Sequence, residues 1–532
     1  VNLISNLNFV PRKNLTMDTR LSLSYSDMSM SGGGLGSTKI AYMTVNPKGT
    51  PTLLPSSGAA YDQMFKYIND VSEKKYNFNI RANVRLAYQI ISGLELSATV
   101  GADYSQAQVN RFEPSIMDAN YGLSKSEGRM NGSMYFQTEE LLHYNFSLKE
   151  RHNFDWLFGF SYTRQSSNDL AGSGKGSPSD YIHYVVEGMP TIKDLNGTMT
   201  AMQSFNSGFK EQKMVSYFGR VAYNFDRKYL IELTLRRDGS SVFGEKVRWA
   251  TFPSFAVGWI FSDESFMKPF YWLSLGKIRA SWGKSGQKFN QRYLAHGLMG
   301  ESQNSFYGNI GILPNVNGGV INRKLTWEET AQYDVGLDMS FLDYRLKFTL
   351  DYYYRRTTGQ LNNMPLQGDI YLHTFQWQNA LATTNQGIEL ELTADIFRET
   401  AVKWRMKFNV SRNWNRLDKT IDGYDFENNV IGKPLYRMKV FKTDGFYDTS
   451  ADVPVYYIDR EGGLPKPLNT DGGYGIFFQG TRKILDLNSD GSIDEKDKYY
   501  AETPLPLAHG GISNEIRWKQ FDLNVFFVYS LG

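Results

Sequence analysis

Between Tyr76 and Ile91 apolar and polar residues alternate. Phe78, Ile80, Ala82, Val84, Leu86, Tyr88 and Ile90 stand against Asn77, Asn79, Arg81, Asn83, Arg85 and Gln89, with Ala87 as the lapse. A period of two puts successive side chains on opposite faces of a strand, so one face is oily and the other wet. The run is also long. About 9–11 tilted residues cross a bilayer, whereas a strand of a water-soluble sheet has about 5–6. A long strand with lipid on one side and water on the other predicts a transmembrane antiparallel β-barrel.

The pattern recurs. Leu15, Met17, Leu21, Leu23 and Tyr25 alternate with polar neighbours, as do Leu94, Leu96, Ala98, Val100 and Tyr104. So do Tyr333 to Phe341, Ile388 to Ile396 and Trp404 to Val410. No stretch of about 18 apolar residues is present, which excludes a helical membrane span. Mean hydropathy is −0.44, but a barrel hides its oil by alternation. Aromatic residues make up 15% of the chain, enough for the interfacial girdles of a barrel. The net charge of +3 is too small to predict a nucleic-acid partner. With no cysteine there is no disulfide or thiolate–metal scaffold.

Connection lengths give an independent signal. Tight turns are expected near Arg12-Lys13-Asn14, Ser92-Gly93, Glu150-Arg151, Asp226-Arg227, Asp343-Tyr344, Arg398-Glu399 and Lys519-Gln520, with a longer turn at Asp263–Leu273. Between them lie long polar segments, roughly 31–75, 107–128, 167–212, 284–329, 357–385 and 417–509. Short turns on one side and long loops on the other is the periplasmic–extracellular asymmetry of a bacterial outer-membrane barrel. About 16–18 strands are visible, Arg437–Tyr447 being a candidate for a further one. Val1–Pro11 leads into a tight turn and Phe521–Ser530 leaves one, so both ends fall on the long-loop side. Bacterial barrels start and end in the periplasm. Residues 1–532 are therefore expected to form one barrel domain, incomplete at both ends, with 417–509 as a long extracellular region. Val1-Asn2-Leu3-Ile4 has no signal-peptide character, as expected of a mature chain or a fragment.

Specific words then appear. Leu235-Arg236-Arg237-Asp238-Gly239-Ser240-Ser241-Val242-Phe243-Gly244 is followed by Arg248–Trp259 (RWATFPSFAVGW) and Lys277–Gln287 (KIRASWGKSGQ). Later come Leu325-Thr326-Trp327-Glu328-Glu329-Thr330, Asn385-Gln386-Gly387-Ile388-Glu389-Leu390 and Asp486-Leu487-Asn488-Ser489-Asp490-Gly491. In this order they resemble the barrel of the SusC/RagA-type TonB-linked outer-membrane transporters. The resemblance implies a full barrel of roughly 22 strands, an N-terminal plug and a SusD-like surface lipoprotein as a lid. It also implies energy from TonB, through an N-terminal region that this chain lacks. The implied function is active import of oligosaccharides or peptides across the outer membrane. The alternative is a scaffold barrel of a larger surface or secretion assembly, without import of its own.

One local motif points to a metal. Asp486 to Asp497 fits a 12-residue calcium loop: Asp486, Asn488 and Asp490 at positions 1, 3 and 5, Gly491 at the turn, Ser492 at 7, Asp494 at 9 and Asp497 at 12. Hard oxygen donors in that order suit Ca²⁺ as a structural staple. Position 12 is Asp where such loops usually carry Glu. Tyr371, Phe375 and Trp377, with Phe306 and Tyr307, crowd proposed outer loops and are candidate stacking surfaces for sugar rings or the lid. Arg81, Arg85, Lys403, Arg405 and Lys407 fall on the wet side, to guide anionic substrate or to solvate the wall.

No enzyme is expected. The six histidines show no ligand spacing, and there is no Cys nucleophile and no G-x-S-x-G turn. Glu139 and Glu140 are adjacent on a strand and so face opposite ways. The glycine-rich Gly172–Gly176 matches no phosphate loop and reads as a flexible outer loop.

Overall fold

The computed structural model describes residues 1–31, 71–114, 124–176, 179–185, 191–193, 199–201, 203–289, 292–296, 299–302, 311–314, 320–366, 375–426, 428–456, 466–470, 477–501 and 505–532. Sixteen long strands dominate. They are β1 (Asn2–Arg12), β2 (Leu15–Asp27), β3 (Ser72–Ile91), β4 (Leu94–Glu113), β5 (Lys125–Leu148), β6 (His152–Lys175), β7 (Gln203–Phe225) and β8 (Tyr229–Ser240). There follow β9 (Trp249–Ile260), β10 (Leu273–Gln287), β11 (Glu328–Phe341), β12 (Leu346–Pro365), β13 (Phe375–Phe397), β14 (Val402–Thr420), β15 (Ala508–Trp518) and β16 (Phe521–Leu531). The chain forms two compact units, one of 1–225, 232–253 and 288–326, the other of 226–231, 254–287 and 327–532.

In unit one β1 to β7 pair antiparallel in chain order. In unit two Ser254–Ile260 of β9 and strands β10 to β16 do the same. Every expected tight turn is present. At Ser92-Gly93 the chain needs glycine for two reasons: φ is +83°, and a Cβ there would run into the carbonyl oxygen of Asn145.

Alternation fixes what each face carries. In unit one Leu86, Tyr88 and Ile90 are 44–45% exposed, with their neighbours Arg85 and Gln89 on the opposite face. Val335 and Tyr333 in unit two are likewise more than half exposed. A sheet face this oily and this open is made for lipid.

The strands run further than their alternation shows. The segments 107–113, 125–128, 167–175, 203–212, 357–365 and 375–385 are strand and not loop. The glycine-rich Gly172–Lys175 is the end of β6, held between Lys125–Gly128 and Gln203–Phe205. Backbone pairing on both sides carries it despite its poor strand propensity. Arg437–Tyr447 adds no strand to the large sheet. Its pieces Lys439–Phe441 and Thr443–Phe446 pair with Lys498–Tyr500 and Arg482–Ile484 inside the long outer segment. That segment has a small core of its own: Tyr447, Val453, Leu468 and Ile493 are buried, with Phe441, Phe477 and Ile484 packed against them.

Candidate functional site

The polar face is where the structure places chemistry. In unit one Arg81 pairs with Asp103 at 3.1 Å, and Arg85 with Glu95 at 2.7 Å and Asp18 at 3.7 Å. Asp155 receives both His143 at 2.9 Å and Arg220 at 2.5 Å. In unit two Arg279 spans Asp338 at 3.1 Å and Asp351 at 2.6 Å. Arg405 meets Asp395 at 2.6 Å, and Lys407 meets Glu515 at 2.7 Å. Of the five cations expected on this face, four are thus matched by carboxylates from adjacent strands. Lys403 lines a cavity of about 710 Å³ together with Asp395, Arg398, Arg405, Glu515 and Arg517. The cavity lies at the tight-turn end of β13 to β16.

The family words organise this face and the strand ends. Arg236 donates to Asp238 at 2.8 Å and to Ser216 at 3.0 Å. Val242, Phe243 and Leu325 are buried, Phe243 meeting Phe289 edge-on at 4.9 Å. Arg279 comes from the Lys277–Gln287 word. Its guanidinium occupies the space that a side chain at position 336 would fill, so Gly336 on β11 keeps the slot open. The triad of Arg279, Asp338 and Asp351 was not foreseen. Its three residues stand on three strands, and only the cross-strand register brings them together.

The expected substrate aromatics stand elsewhere. Phe375 and Trp377 begin β13, opposite Pro365 and Asn363 and half-buried. Phe397, at the other end of the same strand, lines the cavity together with Trp404. Tyr371, Phe306 and Tyr307 lie outside the described residues. Phe375 and Trp377 therefore stand at the opposite end of β13 from Asp395 and Arg405, and do not share a site with that pair.

The six candidate metal ligands share one loop. Gly491 turns it at φ +82°, and Asp486 accepts the N–H groups of Ser489 at 2.6 Å and Gly491 at 2.8 Å. Asp490 accepts from Ser492 at 2.9 Å, and Asp494 from Lys496 at 2.7 Å. Asp497 is fully buried and accepts from Leu487 at 2.9 Å, Asn488 at 3.4 Å and Asp494 at 2.8 Å. The oxygens are spaced along the loop by its own N–H groups. Among the described residues no three His, Asp or Glu side chains converge as a metal cluster.

Residues 13–494 match the family model described as TonB dependent receptor-like, beta-barrel. The chain belongs to that family. It is 30% identical over 496 residues to TonB-dependent receptor P3 of Formosa agariphila, covering 92% of this chain and 48% of that protein. It is 29% identical over 327 residues to TonB-dependent receptor SusC of Bacteroides thetaiotaomicron, covering 60% of this chain and 31% of SusC. The fold matches a structure of the RagAB peptide transporter with a TM-score of 0.77 at 19% identity, over 99% of this chain and 57% of that one. The chain spans about half the length of the P3 receptor. The long antiparallel sheet is thus the barrel of a SusC/RagA-like TonB-dependent receptor in the outer membrane. Its apolar face meets lipid and its ion-paired polar face lines the lumen.

Proposed function

We propose that this chain is the barrel portion of an outer-membrane importer of oligosaccharides or peptides, driven by TonB and working with a SusD-like surface lipoprotein. The observation that carries this reading is the relationship to P3 across 92% of the chain, a protein named as a TonB-dependent receptor. The geometry supports it. A lumen wall where four of the five expected cations are matched by carboxylates from adjacent strands offers little fixed charge to trap cargo in transit. The small core of the outer segment gives a lid something firm to close against. The experiment is growth of the native bacterium on defined oligosaccharides and peptides as sole nutrient. Deletion of the gene and deletion of TonB should abolish growth on the same substrate, and a lipoprotein should co-purify with the tagged receptor. Uptake that survives loss of TonB would overturn the reading.

We propose in addition that the loop 486–497 takes Ca²⁺ through Asp486, Asn488, Asp490, Asp494 and the Ser492 carbonyl. The support is the order of oxygen donors around left-handed Gly491. Asp497, buried and bound to three N–H groups, serves as the staple that holds the loop shut. Chelation with EGTA should speed proteolysis within 480–500 and lower the melting temperature of the outer segment. Unchanged proteolysis would sink the calcium reading and leave a self-capped turn.

A further inference from the structure

The lipid-facing side of unit two carries two adjacent rows that the import reading does not use. In the first, Trp282 lies opposite Tyr333, Tyr333 opposite Tyr354, Tyr354 opposite Gln386, and Gln386 opposite Trp414. In the second, two residues nearer the long loops on each strand, Lys284 lies opposite Ala331, Ala331 opposite Arg356, Arg356 opposite Thr384, and Thr384 opposite Arg416. Both rows share a face with Val335 and Ile388, which are 54% and 43% exposed. Arg412 joins them from one step below, its guanidinium 4.6 Å from the centre of the Trp414 ring.

Depth follows from the strand. Trp404 and Trp414 stand ten residues apart on this face of β14, with Met406, Phe408, Val410 and then Arg412 between them. Ten residues at about 3.3 Å each, tilted by about 40°, rise about 25 Å, the height of a barrel's apolar band. Trp404 therefore marks the periplasmic interface and the first row marks the outer one. The second row stands where lipid headgroups begin.

The charges there do not cancel. Lys284 reaches Glu329 at 3.5 Å, while Arg356 at 3.3 Å and Arg416 at 2.7 Å share Asp418. Arg412 sits over the Trp414 ring and, among the described residues, pairs with no carboxylate. Four cations thus face two carboxylates. Ala331 and Thr384 are small and alternate with the cations along the row, and Arg356 and Arg416 converge on Asp418 with Lys284 and Arg412 to either side. A surplus of cations, guanidinium forks among them, beside an aromatic belt suits a phosphate ester carried at the lipid surface.

We propose that this row binds the phosphate groups of anionic lipid in the outer leaflet. The inference rests on the outer-membrane location of the barrel and is independent of what the barrel imports. Bound lipid would fix the depth of this sector and tie the barrel to the leaflet around it.

The test uses the full-length receptor, purified in micelles doped with equal amounts of phosphatidic acid and phosphatidylcholine, with retained lipid read by native mass spectrometry. The wild type should keep phosphatidic acid in preference. The triple variant Arg356→Gln, Arg412→Gln, Arg416→Gln should lose that preference by about tenfold or more. Inorganic phosphate at the same concentration should not displace the lipid; full displacement would make this a free-phosphate site and overturn the proposal. Equal retention of the two lipids by the wild type, or an undiminished preference in the triple variant, would overturn it as well. Loss of a co-purifying protein with lipid preference intact would assign the row to a protein contact instead. Should the triple variant fail to fold, Arg412→Gln alone, which breaks no ion pair seen here, should still weaken retention, and Arg412→Lys should largely restore it.

Discussion

In unit two the lumen face and the lipid face carry the same kinds of cation and treat them in opposite ways. On the lumen face Arg279 has two carboxylates within 3.1 Å, and Arg405 and Lys407 have one each. On the lipid face Arg356 and Arg416 share one carboxylate, and Arg412 rests on a tryptophan ring. A lumen wall has to be polar without being sticky, and these three cations are closed on carboxylates. A lipid-facing rim meets a phosphate-bearing leaflet, so leftover positive charge there has a partner outside the chain.

The strongest way to break the comparison is to open a closed lumen group. Arg279→Met leaves Asp338 and Asp351 facing each other across an emptied slot beside Gly336. Removing one partner of a fully buried pair costs about 3–5 kcal/mol, and water at this partly open site reduces that to about 2 kcal/mol. Thermal unfolding of the purified receptor should show it. The double change Asp338→Asn, Asp351→Asn added to Arg279→Met should recover most of the loss. A variant as stable as the wild type would mean that these lumen groups are solvated and not paired.

The next test inverts the logic on the lipid face of unit one. Glu140 lies opposite Ala98 and Phe160 on the apolar face, between the lipid-facing Thr138 and Leu142, and one of its oxygens is buried with no partner. Its neighbour Glu139 faces the lumen. Glu140→Leu should stabilise the barrel by about 1–2 kcal/mol, whereas Glu139→Leu should not. Destabilisation by Glu140→Leu would show that the carboxyl holds a partner from the membrane.

How much of this was legible depends on how many strands a feature spans. The alternation from Phe78 to Ile90 told which face was oily. With a tight turn at Ser92-Gly93, the pairing of Arg81 with Asp103 follows from counting outward along one hairpin. Arg279 and Asp351 stand 72 residues apart on strands that are not neighbours, so no single turn aligns them. Alternation underestimates the strand ends because above the membrane neither face is oily. There the alternation stops while backbone pairing continues, as at Gly172–Lys175. Asp497 holds the loop position of a metal ligand, and it is also buried as an acceptor of N–H groups, a role that spacing alone does not show. The cationic row was legible in principle, since Lys284, Arg356 and Arg416 all fall on apolar-face positions. It goes unnoticed because each cation looks like a strand end until the register lines them up.

The mildest test concerns the tight-turn edge of the lipid face, where a carboxylate is closed on aromatic donors. Glu264 accepts from Tyr229 at 2.6 Å and from the Trp259 indole at 3.3 Å, with Lys228 at 3.6 Å. The hydrogen bond from Tyr229, then that from Trp259, holds its carboxyl below the ordinary value of 4.5. A group depressed in the folded state contributes stability above its unfolded pKa and loses it as pH falls through the folded one. The wild type should therefore be more stable than Glu264→Gln by a constant margin above about pH 5, and the margin should shrink as pH drops below about 4.5. Tyr229→Phe should behave as Glu264→Gln does. A margin that is flat through the acid range would show that the turn is held by its packing and not by the charge.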